Sequence, residues 1–305
     1  MNDGGLHLLA DLLTAGGVVV LSGAGLSTES GIPDYRGPTG VRRRSAPMTY
    51  QEFVSSEPGR QRYWARSHLG WRLIGQARPN DGHRSVAAWQ RLGLLGGVIT
   101  QNVDRLHQAA GATDVVDLHG TLDLVVCLGC GQRSGRAELE GRLHDANPAF
   151  AELADRVRQV NPDGDVDLPD ELVRSFRVVD CTACGGLLKP DVVFFGENVP
   201  KDRVERCYDM VERARSLVVL GSSLTVMSGL RFVRRAAKLG LPVAIVNEGK
   251  TRGDECATVK LDVRLGPSLV AVTGMTAQAV GASPAAAARE AGPSAQVVLQ
   301  ELHGA

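Results

Sequence analysis

Two cysteine pairs and one histidine have the residue types and spacing to do chemistry in this chain. Cys127-x-x-Cys130 and Cys181-x-x-Cys184 each close a tight turn beside glycines (Gly129, Gly131, Gly185). Two such knuckles supply four thiolates, a closed donor set that suits one structural Zn²⁺ and leaves no open position for catalysis. The gap of about fifty residues between the pairs exceeds the usual span of about fifteen to twenty. Competing readings are a redox C-x-x-C and four unrelated buried thiols. Neither pair opens a helix after a strand, which disfavours redox. Cys207 and Cys256 stand alone and read as packing residues. His119 ends an apolar run and precedes Gly120, which sets one imidazole at a strand end with its ring accessible. An imidazole titrating near neutrality suits a general base. His107 reads as a cap or core histidine, and His7, His68, His83, His144 and His303 as structural.

These groups need elements to hold them. Gly17-Val18-Val19-Val20-Leu21 is a β-branched run bounded by glycines, and predicts a buried strand. It runs into Ser22-Gly23-Ala24-Gly25, where glycines let the backbone turn sharply and the amides beyond can face a phosphate. The dinucleotide fingerprint is incomplete. Thr28 stands at its third glycine, and Arg42, Arg43 and Arg44 occupy the region of its acidic residue. Further strands are expected at 97–100, delivering 101–107, and at 115–118. Others are expected at 188–195, at 217–220 before Gly221-Ser222-Ser223, and at 242–246 before Asn247-Glu248-Gly249. Helical spacing of Leu6, Leu8, Leu9, Leu12 and Leu13 marks the buried face of a first helix. Strands alternating with helices, each strand ending in a polar loop, predict an α/β fold. It is a doubly wound, mostly parallel (Rossmann-like) sheet with a smaller zinc-binding and helical lobe.

Residues 1–43, 79–125 and 188–275 are assigned to the Rossmann-like domain. The helical module 44–78 holds most of the scarce aromatics. The insertion 126–187 is rich in cysteine, glycine and charge and cannot build a core alone. Residues 37–47 read as a basic flap over the ligand, and 276–305 as a loosely ordered tail with room for a short helix at 295–302. Lys+Arg and Asp+Glu both number 34, so the formal charge of +0 implies no global pull toward nucleic acid or membrane. No apolar run reaches membrane-spanning length. The stretch 6–21 lacks the basic start of a signal peptide, which points to a cytoplasmic protein.

The full string Ser22-Gly23-Ala24-Gly25-Leu26-Ser27-Thr28-Glu29-Ser30-Gly31-Ile32-Pro33-Asp34-Tyr35-Arg36 resembles the signature of the Sir2 family, the sirtuins. These are NAD-dependent protein deacylases. The resemblance implies that an acyl-lysine oxygen attacks the ribose carbon bearing nicotinamide, nicotinamide leaves, and an alkylimidate forms. His119 would then act as general base on a ribose hydroxyl, giving free lysine and O-acyl-ADP-ribose. By match, Asp104 and the backbone of Ile32 take the nicotinamide carboxamide. Gln101 and Asn102 hold the ribose, and Val103 lies between Asn102 and Asp104. Tyr35 shields the reactive face of the sugar. Arg36 and the Gly23–Gly25 turn contact phosphate, and Ala24, Thr28, Pro33 and Asp34 complete the cofactor loop. Gly221, Ser222 and Ser223 would meet phosphate or ribose, and Asn247, Glu248 and Gly249 the adenosine ribose. Leu265 and Gly266 would close over adenine. Val193, Phe194, Phe195, Gly196 and Glu197 match the strand that pairs with the acylated peptide. In the family, one structural zinc sits in the same kind of insertion, here on Cys127, Cys130, Cys181 and Cys184.

Arg62-Tyr63-Trp64-Ala65-Arg66, the stretch 162–166 and Lys189-Pro190-Asp191-Val192-Val193-Phe194-Phe195-Gly196 look like class II sirtuins. That branch is associated with weak deacetylation, removal of bulkier or acidic acyl groups, and ADP-ribosyl transfer. Tyr63 and Arg66, spaced i,i+3, are expected to face the acyl tunnel, where a guanidinium would suit a carboxylated acyl group. A surface arginine beside a core tyrosine is the alternative. The 161–170 segment is expected to reach toward the site. The leading reading is a protein-lysine deacylase with NAD as co-substrate and acylated-lysine proteins or peptides as partners, favoured as a monomer. A mono-ADP-ribosyltransferase using the same site, and a non-catalytic NAD or ADP-ribose sensor, stay open.

Overall fold

Every residue of strand β1 (Val18–Ser22) is buried, and its side chains feed two cores. Val18 and Val20 pack with Leu9, Leu13, Val86, Trp89, Leu269 and Val272 on one face. Val19 and Leu21 pack with Met210, Val211, Leu230 and Phe232 on the other. A continuous β-branched run is what a strand covered on both faces requires. The computed structural model describes residues 3–35, 47–150, 153, 161 and 163–282. Strands β2 (Leu95–Thr100), β3 (Val115–Asp117), β7 (Ser216–Leu220), β8 (Val243–Val246) and β9 (Val259–Leu261) complete a six-stranded sheet. Its order is β3-β2-β1-β7-β8-β9, with all pairs parallel. This is the doubly wound order whose direction reverses between β1 and β7, where such sheets bind ligands. In the first helix Leu9 and Leu13 are fully buried, whereas Leu8 is 53% exposed and does not join the packed face expected of it.

A second sheet is antiparallel, in the order β5-β4-β6: β5 (Arg133–Gly135), β4 (Gly120–Cys127) and β6 (Leu188–Val192). The expected strand at 188–195 is therefore shorter, and it joins this smaller sheet and not the parallel one. The reason is pairing: β4 continues from β3 through His119, and β6 returns along it from Cys127 to Gly120. Beyond β6 only an isolated bridge joins Phe195 to Thr49.

The helix Glu57–Gln76 packs on this sheet. Phe53, Tyr63, Trp64 and Leu69 share one core with Leu139, Leu143, Phe150 and Phe176. Neither segment closes a core alone; each supplies half of a common one. The i,i+4 pair Leu139 and Leu143 lies on the helix Arg136–Ala146, an amphipathic element the cysteine-rich composition concealed. The boundary expected at 276 falls inside a packed helix. Helix Leu265–Ala279 keeps Thr276 and Ala277 fully buried. Arg36, most of the basic flap and the 295–302 helix fall outside the described residues.

Candidate active site

The C-terminal ends of five parallel strands open onto one cavity of about 850 Å³. The loop after β1 contributes Ala24, Gly25, Ile32, Pro33, Asp34 and Tyr35, and the loop after β2 contributes Gln101, Asn102, Val103 and Asp104. His119 comes from the end of β3, Gly221, Ser222 and Ser223 from β7, and Asn247, Glu248 and Gly249 from β8. Tyr63 and the segment Val193, Phe194, Phe195, Gly196 and Glu197 complete the wall. The two Gly-rich turns meet back to back: the Gly25 amide donates to the Gly221 carbonyl at 2.8 Å. A Cβ on Gly25 would stand 2.9 Å from that oxygen, so this close approach needs glycine.

Not every expected residue lines the cavity. Gly23 packs against Ser222 behind the lining. Thr28 donates its hydroxyl to the Gly25 carbonyl at 2.9 Å and closes the turn. Leu265 is buried behind Gly221, within the sheet-covering core, and does not reach the cleft. Arg66 is turned away: its guanidinium pairs with Asp165 and Asp167. Carboxylates 3.1 and 2.7 Å away outcompete any position in the cavity.

His119 is fixed at both nitrogens. Nδ1 lies 2.9 Å from the Gln101 carbonyl, which can only accept, so Nδ1 carries the hydrogen. Nε2 keeps its lone pair and accepts from the Ser228 hydroxyl at 2.8 Å. Burial pushes the imidazole down to about 4; the Gln101 hydrogen bond opposes this, and Arg203 and Arg231 add to it. The ring is therefore neutral at pH 7. Gly120 follows His119 for a different reason from ring access. Its φ is +82°, and a Cβ there would lie 1.9 Å from the Asp191 carbonyl where β4 meets β6.

Asp104 is buried, and desolvation raises its pKa, while the Ser27 hydroxyl and the Leu106 amide act in the opposite direction. Ser27 donates to Asp104 Oδ2 at 2.6 Å and accepts from Asn102 Nδ2 at 3.0 Å. Asn102 also donates to the Gly23 carbonyl at 3.1 Å. Ser27, Ser228 and Arg231 were missed as lining residues. Ser27 was visible inside the motif as a small hydroxyl beside the turn. Ser228 had no local signal, since 109 residues separate it from His119.

Away from the cavity, the four sulfurs of Cys127, Cys130, Cys181 and Cys184 lie within 4.8 Å of one another. Cys127 and Cys184 are 3.5 Å apart, Cys130 and Cys181 3.9 Å, and all are free thiols. Sulfurs about 2.3 Å from a tetrahedral zinc sit about 3.8 Å from each other. The donor set and spacing fit one structural zinc, bridging the end of β4 to the turn before β6.

A parallel sheet with paired glycine turns at its switch point, a buried histidine facing the same cavity and a four-cysteine cluster in the smaller lobe fit an NAD-handling α/β enzyme with a structural metal. The Sir2 family profile matches residues 23–228, and the chain belongs to that family. It is 63% identical over 273 residues to NAD-dependent protein deacetylase 1 of Streptomyces coelicolor, covering 90% of each chain. It is 51% identical over 256 residues to NAD-dependent protein deacetylase 1 of Mycobacterium avium, covering 83% of this chain and 89% of that one. A structure of Sir2 bound to acetylated peptide superposes with a TM-score of 0.70 at 29% identity, over 91% of this chain and 99% of that one. One of Sir2 with a peptide and NAD⁺ gives 0.69 at 31%, over 88% and 96%.

Proposed function

We propose that this chain is an NAD-dependent protein-lysine deacylase in which His119 is the general base. The observation that carries the reading is the shared cavity. His119 faces it together with Asn102, Asp104 and Ser222 on one side and Val193, Phe194 and Phe195 on the other. When bound, NAD supplies the ribose carbon that takes the acyl oxygen and the nicotinamide that leaves. The chain's own residues do the rest. Asp104 and the Ile32 backbone hold the carboxamide, and Ser27 holds Asp104. Gln101 and Asn102 hold the ribose, and Ser222, Asn247 and Glu248 the adenosine end. His119 Nε2 takes a proton from a ribose hydroxyl, while the Gln101 carbonyl keeps Nδ1–H in place. An acylated peptide laid in extended form beside 193–195 gains backbone hydrogen bonds with little demand on its sequence.

The test is His119→Tyr. Formation of free lysine and O-acyl-ADP-ribose is expected to vanish while NAD binding, followed by calorimetry, persists. Unchanged turnover in that variant would remove His119 from the role.

A further inference from the structure

His119 stands between two loops that wall the cavity. Its own carbonyl accepts from the Val193 amide at 2.8 Å, and its ring accepts from the Ser228 hydroxyl at 2.8 Å. Residues 192–199 line the cavity without a break on the Val193 side, and residues 221–228 on the Ser228 side. A lysine laid beside 193–195 reaches the base between these two stretches. Ser228 lies on the helix Met227–Lys238. Arg231, three residues on and so on the same face, is half-buried and also lines the cavity. Among the described residues its guanidinium hydrogen-bonds only to the Met227 carbonyl, from Nε at 3.3 Å, and meets no carboxylate. Burial is the chief cause that lowers the His119 pKa, and the Arg231 charge is near enough to add to it. No acid on either loop offsets this guanidinium. The helix has no acidic residue in its first turn and no side-chain cap, so its positive end adds charge of the same sign. Glu197, the one acid of the 192–199 stretch, is held by Lys189 Nζ at 3.1 Å and by the Phe194 amide at 2.8 Å. Arg252 donates to the Thr225 carbonyl at 3.0 Å and sets a second guanidinium beside the 221–228 stretch.

We propose that Arg231 is a specificity-determining residue that reads the protein sequence around the acyl-lysine, pairing with an aspartate or glutamate carried close to it, so that the enzyme favours acidic acylation sites over basic ones. The inference rests on the deacylase reading and extends it from the acyl-lysine to the residues beside it. An extended peptide held through its backbone makes little sequence demand of its own. A guanidinium whose terminal nitrogens are open can take a carboxylate bidentately. Partial burial protects such a pair from the screening that weakens an exposed one. A lysine or arginine in the same place meets a like charge and the positive helix end.

The experiment measures kcat/KM on one acetyl-lysine peptide, made with glutamate, glutamine or lysine at each of the two positions before and the two positions after the acetyl-lysine. At one of these positions at least, wild type is expected to favour glutamate over lysine by about fivefold or more, chiefly through KM for the peptide. The preference should shrink as salt rises from about 0.05 M to about 0.5 M. Arg231→Gln should erase the preference, Arg231→Glu should invert it, and Arg231→Lys should keep its direction. Arg231→Gln carries the test alone if the Arg231→Glu variant fails to fold. A wild type indifferent to charge at every position, or a preference unmoved by Arg231→Gln, overturns the assignment. So does a variant that raises KM for NAD equally on every peptide and leaves the preference intact, which would place the guanidinium on the cofactor. A wild type that forms no free lysine from any of these peptides overturns the deacylase reading and this inference with it. An active wild type without a charge preference sinks the sequence selectivity alone.

Discussion

At the scale of single residues, the site depends on small hydroxyls that hold larger groups. Ser27 is 1% exposed and touches both Asp104 and Asn102. Replacing it with alanine leaves a buried carboxylate with a lost donor, a change worth about 1–3 kcal/mol. Ser27→Ala is therefore expected to cut acyl-dependent nicotinamide release roughly tenfold or more. The sign of its pH dependence follows from Asp104. Burial already raises that carboxyl, and the Ser27 hydroxyl is the largest influence lowering it. Without Ser27 its pKa rises further, so the variant should lose more activity at pH 6 than at pH 8. Equal losses at both pH values would mean that the ionised form of Asp104 is not what the site uses. Asp104, Asn102 and His119 were legible in the sequence because each sits in a short motif at a strand end. Ser228 and Asp163 were not, because each reaches the cleft from a separate segment whose local pattern says nothing about it.

At the scale of elements, the small lobe relies on its cysteine knuckles. Cys127 ends β4 and Cys184 precedes β6, so a metal there joins two strands that otherwise meet through a few backbone bonds. Zinc binding on the order of 10–16 kcal/mol is folding energy for such a lobe. Trp64 is buried in its core, donates to the Leu188 carbonyl at 3.3 Å, and lies under the Arg136 guanidinium. Chelation, or Cys181→Ser, should shift tryptophan emission to the red and abolish deacylation. Helical circular dichroism from the parallel-sheet domain should largely remain. Metal removal without any change in emission or melting would separate the cluster from the lobe's stability. The two C-x-x-C pairs announced this element. That β6 belongs beside β4 was hidden, because Leu188–Val192, with Lys189, Pro190 and Asp191 inside it, carries no local pattern that says which sheet it joins.

At the scale of the whole molecule, two histidines buried beneath the cleft couple stability to pH. His107 Nε2 lies 2.8 Å from Ser22 Oγ, and its ring faces His83 at 5.1 Å. Burial holds His107 down to about 4 and His83 well below its usual value, with His107 and Arg84 adding to the shift at His83. The unfolded chain protonates these rings below about pH 6.5, and the folded one resists. Their contribution is thus complete above that pH and is lost as pH falls through the folded values. For His107 the loss at pH 5 is about 2 kcal/mol. The melting temperature should fall between pH 7.5 and 5, and His107→Gln should flatten that slope. A melting profile indifferent to the substitution would show that the His107 ring is not the source.

Taken alone, the sequence determined the alternation of strands and helices, the glycine turns, the two cysteine pairs that cluster and the histidine at a strand end. Each of these is written in residues close together, where sterics and donor chemistry act locally. Tertiary structure alone decided that Arg66 is spent on Asp165 and Asp167, that Leu265 is core, and that Asp163 faces the cleft. Those outcomes depend on which distant charge or backbone a side chain meets first, and spacing along the chain does not encode that distance.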